Sequence, residues 1–212
     1  MIFSLATIKG GASKSTTAVQ LVHYLSTLNF SVALVDCDDQ KSAANWVEKL
    51  PIDCHIFASA DIEDIEDEID KIEEDYDAVI VDTAGSDEET MMMIIGRSHH
   101  VLMPICPSEL DIDSSKKTIK RITRARKRYR RDIVATAFLA KVVANTTMRR
   151  DTIEVFKDFD SINFSPVEVP FTQRIIKLAN TDKTVFTASN CKDLAESFTK
   201  LFAPLVGGED NG

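Results

Sequence analysis

A short polar segment near the start of the chain combines residue types that bind phosphates. It lies between an apolar run and a helical pattern and reads Lys9-Gly10-Gly11-Ala12-Ser13-Lys14-Ser15-Thr16-Thr17. A glycine-containing turn that opens a helix aims backbone N–H groups and the positive helix end at an anion. In such a loop Lys14 would neutralise the β- and γ-phosphates of a nucleotide, the Ser15 hydroxyl would ligate Mg²⁺, and Thr16 would donate to the α-phosphate. The cradle around the phosphates would be completed by Gly10, Gly11, Ala12 and Ser13.

Acidic residues stand at the ends of two later apolar runs. Asp36 and Asp38 close the first run, and Asp82 closes the second. Two carboxylates one residue apart at a strand end project to the same side. Because ligands of open parallel sheets bind at the carboxyl ends of the strands, both acids can point toward a nucleotide there.

The phosphate-binding loop departs from the strict pattern, which needs glycine at the positions of Ile8 and Ser13. If position 13 requires positive φ or a close phosphate approach, a serine adds strain of about 1 to 3 kcal/mol and places a hydroxyl near the nucleotide. We therefore expect the bound nucleotide to be hydrolysed slowly. A scaffold that is gated by nucleotide and hydrolyses it only weakly is an open alternative.

The elements that must position these residues alternate between strand and helix patterns, which is typical of βαβ units. We predict strands at residues 2–7, 32–36, 55–58, 78–82, 101–105, 133–143 and 166–169. Helices are predicted at residues 15–28, 41–49, 62–74, 88–95, 114–129, 150–159, 172–180 and 192–202. The expected fold is α/β, a P-loop domain with a twisted, mostly parallel sheet and helices on both faces.

The composition favours one globular domain. The chain has 212 residues, of which 44% are hydrophobic and 28% charged, with seven glycines and six prolines. We expect a single domain over residues 1–206 and a flexible tail over residues 207–212. No apolar run reaches the ~20 residues of a membrane span, and no secretory signal is visible. The four cysteines are far apart and lack zinc or disulfide spacing, so we expect a reduced, cytoplasmic protein.

Charge is segregated along this acidic chain, whose formal net charge is −9. Residues 116–131 contain ten basic residues in sixteen, and a helical pattern places most of them opposite an apolar stripe. Such a face can contact a phosphate backbone without reading sequence, so we expect salt-dependent, non-specific DNA binding. The candidate residues are Lys116, Lys117, Lys120, Arg121, Arg124, Lys127, Arg128, Arg130 and Arg131.

The loop as a whole resembles the deviant Walker A loop, KGGxGK[ST]T, of the ParA/MinD family of P-loop ATPases. The resemblance implies that Lys9 crosses the interface of an ATP-bound sandwich dimer and contacts the partner's phosphates, so that Lys9, Lys14 and Asp38 form the catalytic set. Residues 36–40 resemble the family's DxDPQ motif, which implies that Asp38 orients the attacking water and Asp36 supports the Mg²⁺ shell. Residues 79–85 resemble Walker B, which implies that Asp82 holds Mg²⁺ through water.

Weaker matches extend the resemblance over almost the whole chain. Residues 103–108 with Asp111 are similar to the proline-rich segment after the fifth strand, and residues 142–145 to a strand whose terminal asparagine reads adenine. An amide can both donate to and accept from a purine edge, which suits Asn145. Residues 170–186 are similar to the end of short plasmid-type ParA proteins.

The resemblance implies a DNA partition ATPase for plasmid or chromosome segregation. ATP and Mg²⁺ would join two copies, the homodimer would hold nucleoid DNA, and hydrolysis would release it. Its partner would be a centromere-binding protein.

Other functions stay open. A VirC-type accessory ATPase of conjugative or T-DNA transfer would instead act with a relaxase complex at a transfer origin, and residues 82–86 and 107–113 look somewhat like that branch. A MinD-like membrane cycler is disfavoured, because residues 201–212 end in a proline, glycines and acids in place of a basic amphipathic helix. A nitrogenase-reductase-like electron carrier lacks suitably spaced cysteines. Small-molecule ligases share this loop and remain open as well.

Overall fold

The predicted strands come together in one parallel sheet. The computed structural model describes residues 1–58, 65–85, 88–129 and 131–207, and the predicted features at Ile62, Ser86, Arg130 and residues 208–212 lie outside them. The strands are β1 (Ile2–Leu5), β2 (Val32–Asp36), β3 (His55–Ala58), β4 (Ala78–Asp82), β5 (His100–Ile105), β6 (Val134–Val142) and β7 (Asn163–Pro170).

The order of the strands is β3-β2-β4-β1-β5-β6-β7, and every neighbouring pair is parallel. The expected α/β P-loop fold is therefore confirmed, with a sheet that is parallel throughout its described strands. The chain runs outward from β1 through β2 and β3, returns at β4 and crosses to the other side at β5. Ligands of such sheets bind where the strand order reverses, at the carboxyl ends of the central strands.

Helices cover both faces of the sheet, as parallel strands require. The described helices are α1 (Lys14–Thr27), α2 (Ser42–Val47), α3 (Ile65–Asp75), α4 (Glu88–Arg97), α5 (Glu109–Tyr129), α6 (Thr147–Phe156), α7 (Gln173–Leu178) and α8 (Lys192–Val206). One core packs α1, α2, α7 and α8 against the sheet, and two smaller clusters pack α3 to α6 against its other face. None of the described helices combines the length and the apolar character needed to cross a lipid bilayer.

Alternation along the strands explains this arrangement. In β2, Leu34 packs into the first core, whereas its neighbours Ala33 and Val35 pack into a cluster on the opposite face. Because successive side chains of a strand point to opposite faces, a strand that is covered on both sides must be apolar throughout. All five residues of β2 are buried, including the terminal Asp36.

Several boundaries differ from the predicted ones for local reasons. Helix α5 begins at Glu109, five residues before its predicted start, because the Ser108 hydroxyl accepts a hydrogen bond from the Asp111 N–H (3.2 Å) and caps the first turn. Helix α6 begins at Thr147, where the Thr146 side chain accepts from the Arg149 N–H. Strand β7 spans Asn163–Pro170 and is longer than the predicted 166–169, and its position at the edge of the sheet tolerates the two prolines.

Candidate functional site

The loop between β1 and α1 lies at the carboxyl edge of the sheet, beside the ends of β2 and β4. In the sheet register Leu5 pairs with Asp82, and Asp82 pairs with Asp36. The last residues of three adjacent strands thus meet where the loop begins. The fold brings together the glycine loop and the acids that the sequence places far apart.

Position 13 does require a left-handed backbone. Ser13 has φ 73° and ψ 22°, and Gly11 has φ 75°. The Ser13 carbonyl accepts hydrogen bonds from the Thr17 N–H (3.0 Å) and the Thr17 hydroxyl (2.8 Å), which hold it as the residue before α1. Because a β-carbon is disfavoured in this region, the serine carries strain of about 1 kcal/mol that glycine would not.

A cavity of about 280 Å³ opens over the loop. Its wall contains several predicted phosphate-binding residues together with Asp38, and it also includes residues from β6 and α2. The lining residues are Gly10, Gly11, Ser13, Lys14, Ser15, Thr16, Asp38, Gln40, Ser42, Gly85 and Lys141.

Lys14 places a buried cation at the floor of this cavity. Its residue is 7% exposed, and its ammonium is 3.5 Å from the Lys9 carbonyl oxygen. Burial lowers the pKa of Lys14, while the nearby Asp82 and Asp38 carboxylates oppose that change. A buried cation between two acids is suited to binding a multiply charged anion, because phosphate oxygens can replace the water that burial removed.

Asp82 is buried without an adequate partner in the described chain. Both carboxylate oxygens are inaccessible to solvent and accept no hydrogen bond of ordinary geometry. Burial raises the pKa of Asp82 to about 7, against a lowering effect of the adjacent Ser15 hydroxyl and of Lys14. The Ser15 hydroxyl is thus close enough to affect the carboxyl, although it does not complete a good hydrogen bond. A hydroxyl beside an unsatisfied carboxylate is a donor set that fits a hydrated Mg²⁺ ion.

Asp36 lies behind the cavity and holds the backbone around it. One oxygen accepts from the Asp38 N–H (3.0 Å), and the other accepts from the N–H groups of Ala43 and Ala44 (both 3.0 Å). Burial raises the pKa of Asp36, whereas these three hydrogen bonds lower it. Its carboxylate therefore positions Asp38 and the start of α2, while Asp38 itself is half-buried and lines the cavity.

The Lys9 side chain reaches the start of α5. Its ammonium lies 2.6 Å from the Asp111 carboxylate, whose side chain is 8% exposed. The Ser108 hydroxyl donates to the same carboxylate oxygen. The lysine, the capping serine and Asp111 form one polar cluster that connects the phosphate-binding loop to α5.

The loop after β4 packs directly on the phosphate-binding loop. A β-carbon at Gly85 would lie 2.6 Å from the Ile8 carbonyl oxygen, which is closer than real β-carbons approach backbone atoms. Two residues earlier, the buried Thr83 hydroxyl donates to the Leu5 carbonyl (2.6 Å). These contacts fix the two loops against each other, and they explain why position 85 requires glycine.

An apolar groove of about 230 Å³ adjoins the cavity. The two spaces share Ser13, Thr16 and Lys141 as lining residues. The remaining walls come from α1, β6, β7, α7, α8 and the segment between β7 and α7, and they include Phe138, Val169, Pro170, Phe171, Ile175 and Ile176. Groove and cavity together form a space with one polar, cationic part and one apolar part.

The sequence analysis did not single out Lys141, which borders both spaces. Its ammonium donates to the Gly11 carbonyl (2.6 Å), and its backbone is left-handed at φ 54°. In contrast, Asn145 is exposed, has φ 61°, and lines neither space. The sequence carries no direct signal for Lys141, because a lysine within a strand pattern normally indicates a solvent-facing position.

The basic residues of α5 and of the segment after it divide into an exposed group and a group that contacts other residues of the chain. The Arg121 guanidinium pairs with Glu88 (2.9 Å), and that of Arg131 lies 2.9 Å from the His99 ring, while Lys116 is half-buried. Arg126, which was not a DNA-binding candidate, donates to the Ile133 and Ser161 carbonyls and holds the end of the helix. The exposed basic stripe consists of Lys117, Lys120, Arg124, Lys127 and Arg128.

At 100° per residue, the five residues of the exposed basic stripe fall within an arc of about 100°. The opposite side of α5 carries Ile119, Ile122 and Ala125, which pack into the core. The helix therefore presents its charges on one surface, as the sequence pattern predicts. Arg124, near the middle of the stripe, is also 3.9 Å from Glu88.

Comparison with known proteins places this chain in a family. A sequence model of the family described as VirC1 protein matches residues 1–172. Protein ParA of Rhizobium radiobacter is 34% identical over 109 residues, which cover 50% of this chain and 49% of ParA. Protein virC1 of Rhizobium rhizogenes is 27% identical over 126 residues, covering 56% and 54% of the two chains. The matches thus span about half the length of these relatives.

A solved structure supports the fold assignment over nearly the whole chain. A plasmid partition protein from Borrelia burgdorferi B31 bound to AMPPNP superposes with a TM-score of 0.71 at 16% identity, covering 97% of this chain and 99% of that chain. The resemblance to ParA/MinD-type P-loop ATPases is confirmed in fold. The family model matches the VirC1 branch, which the sequence analysis held as its alternative. Because that model matches residues 1–172, the chain belongs to the VirC1 protein family.

Proposed function

We propose that this chain is an ATPase that binds ATP and Mg²⁺ at the β1–α1 loop and uses the nucleotide to control DNA binding. The observation that carries the proposal is the meeting of the buried Lys14 ammonium with the unsatisfied Asp82 carboxylate below a backbone cradle. A triphosphate with its cation would supply the missing partners of both groups. The AMPPNP-bound partition protein with the same fold lends support.

The residues fit a magnesium site. Ser15 would hold Mg²⁺ through its hydroxyl and Asp82 through water, and Asp36 would orient the surrounding backbone. Bound Mg²⁺ would neutralise charge on the phosphates during transfer. Lys14 would bind the phosphate oxygens, and Asp38, held by the Asp36 hydrogen bond, would orient the attacking water. This assignment keeps the predicted roles of Ser15, Asp82, Lys14 and Asp38 and makes the role of Asp36 indirect.

The apolar groove is the proposed place for the nucleobase. It joins the phosphate cavity at Ser13 and Thr16, and its walls include the exposed ring of Phe171. An apolar slot beside a cationic cavity matches the two chemical halves of a nucleotide. Asn145 lines neither space, so its contact with adenine stays a prediction beside the proposed binding of the base in the groove.

Two copies would join in the ATP state and hold DNA through the exposed basic stripes. Pairing two stripes raises the affinity for DNA by effective concentration, without any new contact within one copy. Lys9 would have to leave Asp111 before reaching a partner's phosphates. Hydrolysis would release the DNA, at a rate that the strain at Ser13 keeps low. In this proposal the protein is cytoplasmic and associates with the nucleoid.

DNA partition, with a centromere-binding protein as partner, is the first candidate role, and the likeness to ParA favours it. The match to the VirC1 family model favours a second candidate, an accessory ATPase of DNA transfer with a relaxase complex as partner. The two roles share the nucleotide site and the basic stripe, so they differ in which protein stimulates hydrolysis. Measuring ATP turnover with each purified partner separates them.

The test of the shared proposal is retention on non-specific duplex DNA without nucleotide, with ADP, and with ATP plus Mg²⁺, each over a salt series. We expect binding that requires ATP and Mg²⁺ and falls steeply as salt rises. Equal retention in all three states, or none, would refute nucleotide control of DNA binding. Retention with ATP but without phosphate release would leave a nucleotide-gated scaffold.

A further inference from the structure

The regular alternation of strand β6 is interrupted at Lys141. In a regular strand, residues two apart share a face, yet Ala140 packs into the core around α1 and α8 whereas Val142 packs into the core around α5. The pairing of β6 with β7 shifts between these two residues. Lys141 is thus the extra residue of a β-bulge, and its left-handed backbone, with φ 54°, is one that residues with a β-carbon rarely adopt.

The bulge turns Lys141 toward the phosphate-binding loop. Without the bulge, alternation would direct position 141 to the side of the α5 core. With it, the ammonium reaches the Gly11 carbonyl at 2.6 Å and borders both the cavity and the apolar groove. Bulges beside functional sites commonly redirect one side chain in this way.

Lys141 also differs from the other two lysines of the site in the groups that lie near its ammonium. The Lys9 ammonium is paired with Asp111, and Lys14 lies near Asp82 and Asp38. Among the described residues, no carboxylate forms an ion pair with Lys141, whose partner there is a neutral carbonyl. An ammonium that borders a phosphate-sized cavity without a balancing carboxylate is available to an anionic ligand.

On the basis of the proposed nucleotide site, we propose that Lys141 is a phosphate-binding residue that contacts the phosphate nearest the nucleoside. Its position at the junction of the cavity and the groove determines this choice, because the α-phosphate of a nucleotide links the base-bearing part to the terminal phosphates. The ammonium would exchange the Gly11 carbonyl for a phosphate oxygen. A contact to the α-phosphate serves ADP and ATP equally.

The test measures the affinity of MgADP and MgAMPPNP for the full chain by calorimetry. The variants are Lys141→Met, which removes the ammonium, and Lys141→Gln, which keeps an N–H donor for the Gly11 carbonyl but removes the charge. Lys141→Arg keeps the charge. The control is Lys200→Met, which removes an exposed lysine of α8. Circular dichroism and thermal unfolding of each variant establish that it is folded.

We expect Lys141→Met and Lys141→Gln to bind both nucleotides about tenfold more weakly, which is typical of losing a charge-assisted hydrogen bond. Their affinities should also depend less on salt, while Lys141→Arg and Lys200→Met stay within about threefold of wild type. If Lys141→Gln binds both nucleotides with wild-type affinity while Lys141→Met binds them more weakly, the residue only holds the loop through its hydrogen bond to Gly11. That result would overturn the proposal. A loss for MgAMPPNP alone would overturn the α-phosphate assignment.

The outcomes also separate this proposal from the one it rests on. If wild type binds both nucleotides and all Lys141 variants match it, the Lys141 assignment fails and the nucleotide site stands. If wild type binds neither nucleotide, the nucleotide site fails and the Lys141 assignment fails with it.

Discussion

The Lys9 ammonium and the Asp111 carboxylate form an ion pair of 2.6 Å that joins the phosphate-binding loop to the first turn of α5. In the proposed ATP-bound dimer, a Lys9 that is held by Asp111 of its own chain would not be available to the second copy. Breaking the pair should therefore favour association in the ATP state.

We predict that Asp111→Asn lowers the concentration needed for ATP-dependent dimerisation by about threefold to tenfold, as for the loss of a partly buried ion pair. Analytical ultracentrifugation with MgAMPPNP measures this shift. The matched control is Asp113→Asn, two residues along α5 and exposed. Unchanged or weaker association of Asp111→Asn would show that the pair does not restrain Lys9.

The left-handed Ser13 provides the second prediction. Ser13→Gly should raise the free energy of unfolding by about 1 kcal/mol, because glycine relieves the strain of a β-carbon at φ 73°. Steady-state phosphate release should rise as well. Ser13→Ala removes the hydroxyl but keeps the β-carbon, so it should gain no stability. Turnover of Ser13→Gly at or below the wild-type rate would contradict the idea that this residue slows hydrolysis.

Asp82 provides the third prediction. Asp82→Asn removes a buried charge that lacks a good partner, so the free energy of unfolding in EDTA should rise by about 1 to 3 kcal/mol. The additional stabilisation that Mg²⁺ gives the ATP-bound wild type should disappear in this variant. Thermal unfolding with ATP, in EDTA or in excess Mg²⁺, measures both effects.

Asp38→Asn is the matched control, because Asp38 lines the cavity and is half-buried. It should keep the Mg²⁺-dependent stabilisation and lose turnover. If Asp82→Asn retains the full effect of Mg²⁺, the cation is bound elsewhere.

The exposed basic stripe provides the fourth prediction. Replacing Lys120 and Lys127 by alanine should lower the slope of log affinity against log salt by about one for each lost DNA contact. Fluorescence anisotropy on non-specific duplex DNA with ATP and Mg²⁺ measures that slope. Replacing the exposed Lys49 and Lys200 removes the same charge from other surfaces and should leave the slope unchanged. Equal slopes for both double variants would exclude the stripe as the DNA contact.

His99 provides a prediction about pH. Its Nδ1 accepts from the Ile2 N–H (3.0 Å), and burial, with the nearby Arg131, lowers the pKa of His99. A histidine whose pKa is lower in the folded state stabilises the fold above its unfolded pKa of about 6.5, and this contribution is lost as pH falls below that value. The melting temperature of wild type should therefore fall from pH 7 to pH 5.5 more than that of His99→Gln. Equal falls in wild type and in His99→Gln would contradict this assignment.

Much of the central sheet could be predicted from the sequence because its strands are buried on both faces. The bounds of β2 and β4 agree with the prediction residue for residue, since each is a short apolar run, and those of the edge strand β3 agree as well. The order of the strands and the register that pairs Asp36 with Asp82 depend on long-range pairing, which a single sequence does not encode locally. The order of the strands explains why motifs that are far apart in the sequence lie side by side in the structure.

The glycine loop and the acidic residues of the candidate site could be predicted from the sequence, but the residue that borders the cavity from β6 could not. Lys14, Ser15 and Asp38 follow from residue type and spacing, whereas Lys141 depends on a bulge that shifts a strand by one residue. The start of α5 was missed because Ser108 caps it from within a proline-containing segment. Sequence periodicity detects regular structure, and these two features are departures from it.

The contact between Gly85 and the Ile8 carbonyl has a mechanical consequence. With no space for even a methyl group between them, the phosphate-binding loop cannot move toward the loop after β4 without displacing it. Three residues beyond Gly85, Glu88 begins α4 and holds Arg121 on α5, at the border of the basic stripe. In the proposed nucleotide cycle, a shift of the phosphate-binding loop toward Gly85 would therefore displace the loop after β4 by direct contact between two backbones.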